Sequence, residues 1–205
     1  MPATPTENIG PVFTRDSLGP LDHDLIVNHA RPGQTAMGAR LIVHGRLLDQ
    51  TGRGVPGALI EVWQANASGR YRHKRDGYLA PLDPDFGGCG RVITDQNGAY
   101  MFRTIMPAPY PWPNGGNDWR PAHIHFSVFG QCFAQRLVTQ MYFEGDPLIA
   151  RCPIVNAVPD QDAIARLIAQ PDMEATVPMD ARAYRFDIVL RGRRASYFEN
   201  RPEGI

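Results

Sequence analysis

Apolar and polar positions alternate along most of this chain in short runs, with turn-forming residues between them. Residues 40–48 (RLIVHGRLL) read as a first core strand, followed by a turn at 49–54 (DQTGRG). Residues 58–65 (ALIEVWQA) read as a second strand, closed by a turn at 66–69 (NASG). The TDQNG stretch at 94–98 carries the Asn-Gly signal of a hairpin, and residues 99–105 alternate after it. The apolar run 122–129 predicts a further strand, 136–143 (RLVTQMYF) one that pairs with it, and 183–190 (AYRFDIVL) the last. One short helix is expected over 159–169, with Asp160 as its N-cap and Ile164, Leu167 and Ile168 on one face. Six or so strands and one helix predict an all-β fold, a β-sandwich with long loops.

Outside those runs, residues 1–20 read as an extended N-terminal arm and 21–205 as a single domain without internal repeats. Residues 22–28 are too short to assign. Residues 72–92 form a long loop without its own periodicity, in which GGCG at 87–90 reads as a turn. Loops of that length are uncommon unless they carry function. An arm needs a surface to lie on, which leads to the expectation of an obligate oligomer.

Composition narrows the class. Lys+Arg and Asp+Glu both total 21, and there is no basic run, so a polyanionic partner is not indicated and no nucleic-acid binding is expected. The first residues, MPATPTE, lack the basic start and apolar core of a secretory signal, and no apolar stretch is long enough to cross a bilayer. Cys89, Cys132 and Cys152 are far apart and form no Cys-x-x-Cys pair, which reads as three reduced, mostly buried thiols in a cytoplasmic protein.

The candidate chemistry gathers between residues 109 and 125. On a strand, His123 and His125 point to the same face. Alone, such a pair fits half a metal site, and equally one buried ring beside one exposed ring. Tyr110 is held between Pro109 and Pro111, and Arg120 sets a fixed charge beside the histidines. Zinc spacing is absent, and no histidine follows His125 to complete a cupin-type set. Glu144 or Asp146 would serve a ferrous two-His-one-carboxylate site. Tyr71, after the turn of the second strand, offers with Tyr110 a second kind of donor, since phenolate favours ferric iron. Two phenolates and one further anion would cancel the three charges of Fe(III), which matters in a dry site. Nucleophile-elbow, dinucleotide and P-loop motifs are all missing.

With these residues assembled, the chain resembles the intradiol ring-cleaving dioxygenases. The resemblance is carried by LIEVWQANASGRY (59–71), PYPW (109–112) and WRPAHIH (119–125), then by YLAPLDP (78–84), YFEGDP (142–147) and CPIVN (152–156). It implies the intradiol β-sandwich and one non-haem Fe(III) per chain, bound by Tyr71, Tyr110, His123 and His125. Tyr110 corresponds to the tyrosine that leaves the metal as substrate chelates, and Tyr71 to the one that stays. Arg120 corresponds to the arginine beside the reacting ring, Gln140 and Tyr142 to residues behind it, and Trp112 and Ile154 to pocket walls.

The implied activity is O2-dependent opening of a catechol-type ring, protocatechuate to 3-carboxy-cis,cis-muconate foremost, in the β-ketoadipate route of aromatic catabolism. An α-type partner chain in a hetero-oligomer is implied with it. In the β-type chains of this family an N-terminal extension places a tyrosine near the substrate carboxylate. Here nine residues precede Gly10 and the first tyrosine is Tyr71. The expectations therefore include another ring substituent, such as the sulfonate of 4-sulfocatechol, or contacts supplied by the partner. A non-catalytic β-sandwich binding subunit is the rival from a different class.

Overall fold

A computed structural model describes residues 15–112, 116–130 and 136–190. Most of the expected arm (1–14) and Cys132 lie outside the described residues. Eleven strands are present among those described: β1 (Arg40–Asp49), β2 (Leu59–Gln64), β3 (Cys89–Ile93), β4 (Ala99–Ile105), β5 (Tyr110–Pro111), β6 (Trp119–Arg120), β7 (His123–Phe129), β8 (Arg136–Phe143), β9 (Ile168–Val177), β10 (Ala181–Arg185) and β11 (Ile188–Leu190). Two short helices, α1 (Pro153–Asn156) and α2 (Gln161–Ala165), follow β8.

One layer runs β3-β2-β7-β8, and the other holds β4, β1 and β10. β9 belongs to both. Its first residues, Ile168 and Ala169, pair in parallel with Tyr142 and Phe143 of β8, and Gln170–Val177 then pairs antiparallel with β10. The core fills the space between the layers. Val43 and Leu41 of β1 and Phe102 of β4 face Ile60 of β2, Ile124, Phe126 and Val128 of β7 and Met141 of β8, all fully buried. Phe126 touches Tyr100, Phe102 and Phe186 through ring contacts at 5.2–6.3 Å. One polar link crosses the layers: the Thr104 hydroxyl donates to Gln64 Oε1 at 2.7 Å, while the Gln64 amide nitrogen donates to the carbonyls of Ala65 and Ile105. Every polar atom of that amide is thereby satisfied, as burial demands.

Several expectations are corrected. The sandwich stands, but with more strands than the pattern suggested. The helix of 159–169 shrinks to α2, capped by Asp160 as expected, because Ile168 and Ala169 are drawn into β9. Ile164, Leu167 and Ile168 still bury together, against Tyr142, Cys152 and Val155. The loop after residue 72 ends at Gly88, since Cys89 and Gly90 start β3 rather than a turn. β3 hides its strand character because Gly90 stands where any Cβ would strike Leu25 Cδ1 at 2.3 Å. Cys152 is buried but Cys89 is exposed.

The last strand is split into β10 and β11, yet both follow β1 in parallel with one register, 181 − 40 and 188 − 47 giving the same offset. The break falls where the Phe186 carbonyl accepts the Tyr100 hydroxyl and the Asp187 carboxylate, not a backbone carbonyl, takes the Arg46 amide at 2.9 Å. The unassigned stretch near residue 25 is a clasp: Leu25 donates its amide to the Arg103 carbonyl at 2.8 Å and is itself fully buried. No helix among the described residues is long and apolar enough to cross a membrane.

Phe126→Ala should lower the unfolding free energy by about 3–5 kcal/mol, the cost of removing a buried aromatic and leaving its cavity. Denaturant unfolding measures it. A loss under about 1 kcal/mol would show that Phe126 is not the hinge of this core.

Candidate metal and substrate site

The site is built on the face of β7 that the core does not use. Ile124 and Phe126 point inward, so the strand's alternation sends His123 and His125 outward together. β7 is paired on both sides, with Trp63 of β2 and Gln140 of β8 flanking His125, and Tyr142 opposite His123. Trp63 stacks flat on the His125 ring, centroids 4.8 Å apart and planes 2° from parallel. The start of the strand is pinned by the Ala122 amide, which donates to the Asp146 carboxylate at 3.0 Å.

Tyr71 and Tyr110 arrive from loops that the sequence forces into contact. Asn66 Oδ1 accepts the amides of Ser68 and Arg70, each at 3.0 Å, and closes the turn before Tyr71. Gly69 in that turn has φ +83°, and a Cβ there would lie 2.5 Å from the Pro109 carbonyl. Glycine thus permits the close approach that sets Tyr71 beside Tyr110. The Tyr71 amide is held by the Asp76 carboxylate at 2.7 Å. Tyr110 sits in a two-stranded ribbon in which β5 pairs with β6, directly opposite Arg120.

Four donor atoms converge. Tyr71 Oη lies 3.0 Å from His125 Nε2 and 3.3 Å from His123 Nε2, and Tyr110 Oη lies 3.4 Å from His123 Nε2. His123 Nδ1 is 2.7 Å from the Pro121 carbonyl, which can only accept, so that nitrogen carries the proton and the Nε2 lone pair faces the tyrosines. Donors about 2.1 Å from one metal ion sit roughly 3.0–3.4 Å from each other, so the spacing and chemistry of this set fit a metal. The carboxylate alternative does not survive. Asp146 is engaged by the amides of Ala122 and Leu148, Glu144 is exposed beside the Gln170 amide, and no cluster of three His, Cys, Asp or Glu exists among the described residues.

Electrostatics suit the same role. Burial, then the Arg120 charge, push His123 down to about 3 and His125 to about 4, so both rings are neutral ligands at ordinary pH. Burial raises the Tyr71 and Tyr110 phenols, with Arg120 pulling the other way. Without a cation, both keep their protons. Burial opposes the Arg120 charge, while the surrounding Tyr142, Tyr110 and Cys152 side chains favour it, and its pKa is raised on balance. Its guanidinium donates to Gln140 Oε1 and, at 3.2 Å, to the Tyr142 hydroxyl, and it lies 5.1 Å from the Trp112 ring centre. Arg120 Nε is buried without a partner.

A cavity of about 810 Å³ opens over the tyrosines, lined by Trp63, Tyr71, Tyr110, Trp112, His73 and Arg75 among others. Of the residues singled out from sequence, Tyr71, Tyr110, His123, His125, Arg120, Gln140, Tyr142 and Trp112 come together here. Ile154 is partly buried and packs against the Tyr142–Cys152–Val155 cluster. Trp63, Asn66 and Asp76 were not singled out. The NASG turn could have flagged Asn66, but Trp63 needed the β2–β7 register.

A sandwich bearing two phenols and two imidazoles at the end of one central strand defines a class. The chain matches the family described as Dioxygenase over residues 9–192, and it belongs to that family, the intradiol ring-cleaving dioxygenases, which use non-haem iron. It is 52% identical over 193 residues to the protocatechuate 3,4-dioxygenase beta chain of Burkholderia cepacia, spanning 94% of this chain and 81% of that one. Catechol 1,2-dioxygenase 1 of Acinetobacter lwoffii is 38% identical over 125 residues, but this chain spans only 37% of its length. The solved 3-chlorocatechol 1,2-dioxygenase of Rhodococcus opacus 1CP superimposes with a TM-score of 0.63 at 27% identity, over 92% of this chain and 72% of that one. The chain is an intradiol dioxygenase, an enzyme that opens a catechol-type ring between its hydroxylated carbons.

In the metal-free protein, the imidazole signals of His123 and His125 should stay in the neutral form from pH 8 to pH 5. Both groups bind protons less readily folded than unfolded. Their contribution to stability is therefore complete above about pH 6.5 and is lost as pH falls from there. Nuclear magnetic resonance titration of the six histidines checks this. Midpoints near 6.5 for all six would show that the two rings are solvated.

Proposed function

We propose that this chain binds one Fe(III) through Tyr71, Tyr110, His123 and His125 and opens the ring of protocatechuate to give 3-carboxy-cis,cis-muconate, within aromatic catabolism. The observation that carries the assignment is the convergence of two phenolic oxygens and two unprotonated imidazole nitrogens within 3.0–3.4 Å. When bound, the iron supplies a Lewis acid and a template on which a diol and O2 meet.

The chain's own residues do the rest. His123 and His125 are fixed as neutral donors, one by the Pro121 carbonyl and the other by the Trp63 stack. Tyr110 Oη meets one of the two imidazoles where Tyr71 Oη meets both, and as the metal-bound phenolate it would be the acceptor for a proton of the entering diol. Tyr71 is tied down through the Asp76 carboxylate and stays. Arg120 is held by Gln140 and Tyr142 and keeps one buried N–H free to meet negative charge that develops on the ring. Trp112 lines one wall of the cavity. The protocatechuate assignment rests on the B. cepacia relative, by its printed name a beta chain. With it goes the proposal of an α-type partner chain, a cytoplasmic location, and one catalytic domain preceded by an N-terminal arm. A catechol with another anionic substituent, such as 4-sulfocatechol, is the second candidate substrate.

The iron-loaded protein should show a visible charge-transfer band that shifts when protocatechuate is added without O2. A colourless iron-loaded protein would overturn the tyrosine ligands. Tyr110→Phe should retain iron with a shifted band and slow anaerobic protocatechuate binding by about 10²–10⁴-fold, the usual worth of a placed proton acceptor. Stopped-flow absorbance measures it, and unchanged binding kinetics would remove Tyr110 from that role.

A further inference from the structure

The cavity is far larger than a catechol ring, and cationic side chains outnumber carboxylates along its lining. Beyond Tyr71 and Tyr110, its walls carry Arg72, His73 and Arg75 against a single carboxylate, Asp76. Arg72 is not free to bind anything: its guanidinium donates to the carbonyls of Phe86 and Asp83. Asp76 is engaged as well, one oxygen accepting the Tyr71 amide at 2.7 Å and the other the Tyr78 amide at 2.9 Å. That leaves Arg75. It is exposed to the cavity, and among the described residues its guanidinium has no hydrogen-bond or ion-pair partner.

Arg75 is also held in a defined place relative to the site. Its amide donates to His73 Nδ1 at 3.2 Å, and the Asp76 amide donates to the His73 carbonyl at 3.0 Å, closing a tight turn. Asp76 then ties that turn to the backbone of Tyr71. The backbone position from which Arg75 reaches into the cavity is therefore set relative to Tyr71 by two adjoining hydrogen-bonded turns. A diol whose oxygens reach Tyr71 and Tyr110 turns the opposite edge of its ring toward the cavity mouth. We infer that Arg75 is a specificity-determining residue that pairs with an anionic group on that far edge of the ring, a carboxylate or a sulfonate. The inference rests on the proposed ring-opening function and names the part of the substrate that function leaves open. The planar fork of arginine matches either oxyanion in two-point fashion.

The test compares kcat/KM for protocatechuate, 4-sulfocatechol and catechol in the iron-loaded holoenzyme, in wild type, Arg75→Gln and Arg75→Lys. Arg75→Gln should cut the preference for the anionic ring over catechol by about 10–100-fold, the worth of one charged hydrogen-bonded pair. Arg75→Lys should restore part of it, and added salt should narrow the gap between wild type and Arg75→Gln. A loss confined to protocatechuate or to 4-sulfocatechol identifies which anion the site takes. An unchanged preference in Arg75→Gln overturns the assignment. Calorimetric binding of 4-hydroxybenzoate against phenol reads the same preference without turnover. If that preference collapses in Arg75→Gln while no ring is opened by any variant, the function fails and Arg75 stands. If rings are opened and the binding preference is indifferent to Arg75, the reverse holds.

Discussion

The structure depends on β7 facing two environments at once. One face supplies Ile124, Phe126 and Val128 to the sandwich core, and the other supplies His123 and His125 to the site. A strand paired by one residue out of register would exchange the two sets, burying imidazoles among apolar side chains and exposing phenylalanine to the cavity. Pairing with β2 on one side and β8 on the other prevents that slip, and the Asp146 contact to Ala122 fixes where the strand begins. The same ladders that hold the core together therefore set the position of two nitrogen donors.

The remaining donors and the charge beside them come from loops, yet each is tied to the sheet's frame. Tyr71 follows directly from the end of β2, and Tyr110 is paired with Arg120 immediately before β7. The free chain keeps its phenols protonated and its imidazoles neutral, so the site carries little charge beyond Arg120 until a cation enters. Metal binding through the proposed tyrosine ligands would release their protons, which couples affinity to pH. The site is arranged for a cation that can displace those protons. That favours a highly charged, oxygen-seeking ion over a softer divalent one.

Much of this was legible in the sequence because it is local. β4 and β8 end where alternation ends, and the His-x-His pair shares a face by strand geometry alone. What the sequence hid is what depends on partners distant along the chain. β9 has Pro171 and two charged residues, Asp172 and Glu174, and carries no alternating pattern, because much of it is exposed and it serves two layers. β3 is masked by Gly90, whose role is to admit Leu25 from a segment far away in sequence. Ile154 packs on the cluster around Tyr142, a neighbourhood that only the fold reveals. The proposed four-donor set came from combining residue types with a family resemblance, and the fold brings its neighbouring atoms within 3.0–3.4 Å of one another. Trp63 and Asp76 escaped because their work is to orient others.

β9 also bears on how such an enzyme changes over time. Because this strand is stitched to β8 at one end and to β10 along the rest, the two layers share a common edge. The plate beneath the site is thus braced by the layer behind it. The turns that carry Asn66, Arg75 and Asp76 lie outside that bracing. An exchange confined to the Arg75 side chain leaves in place the hydrogen bonds of Asn66 and Asp76 that position Tyr71. On the proposed role of Arg75, the residue that chooses the molecule is separate from those that perform the chemistry, and drift in preference at that position need not cost the reaction.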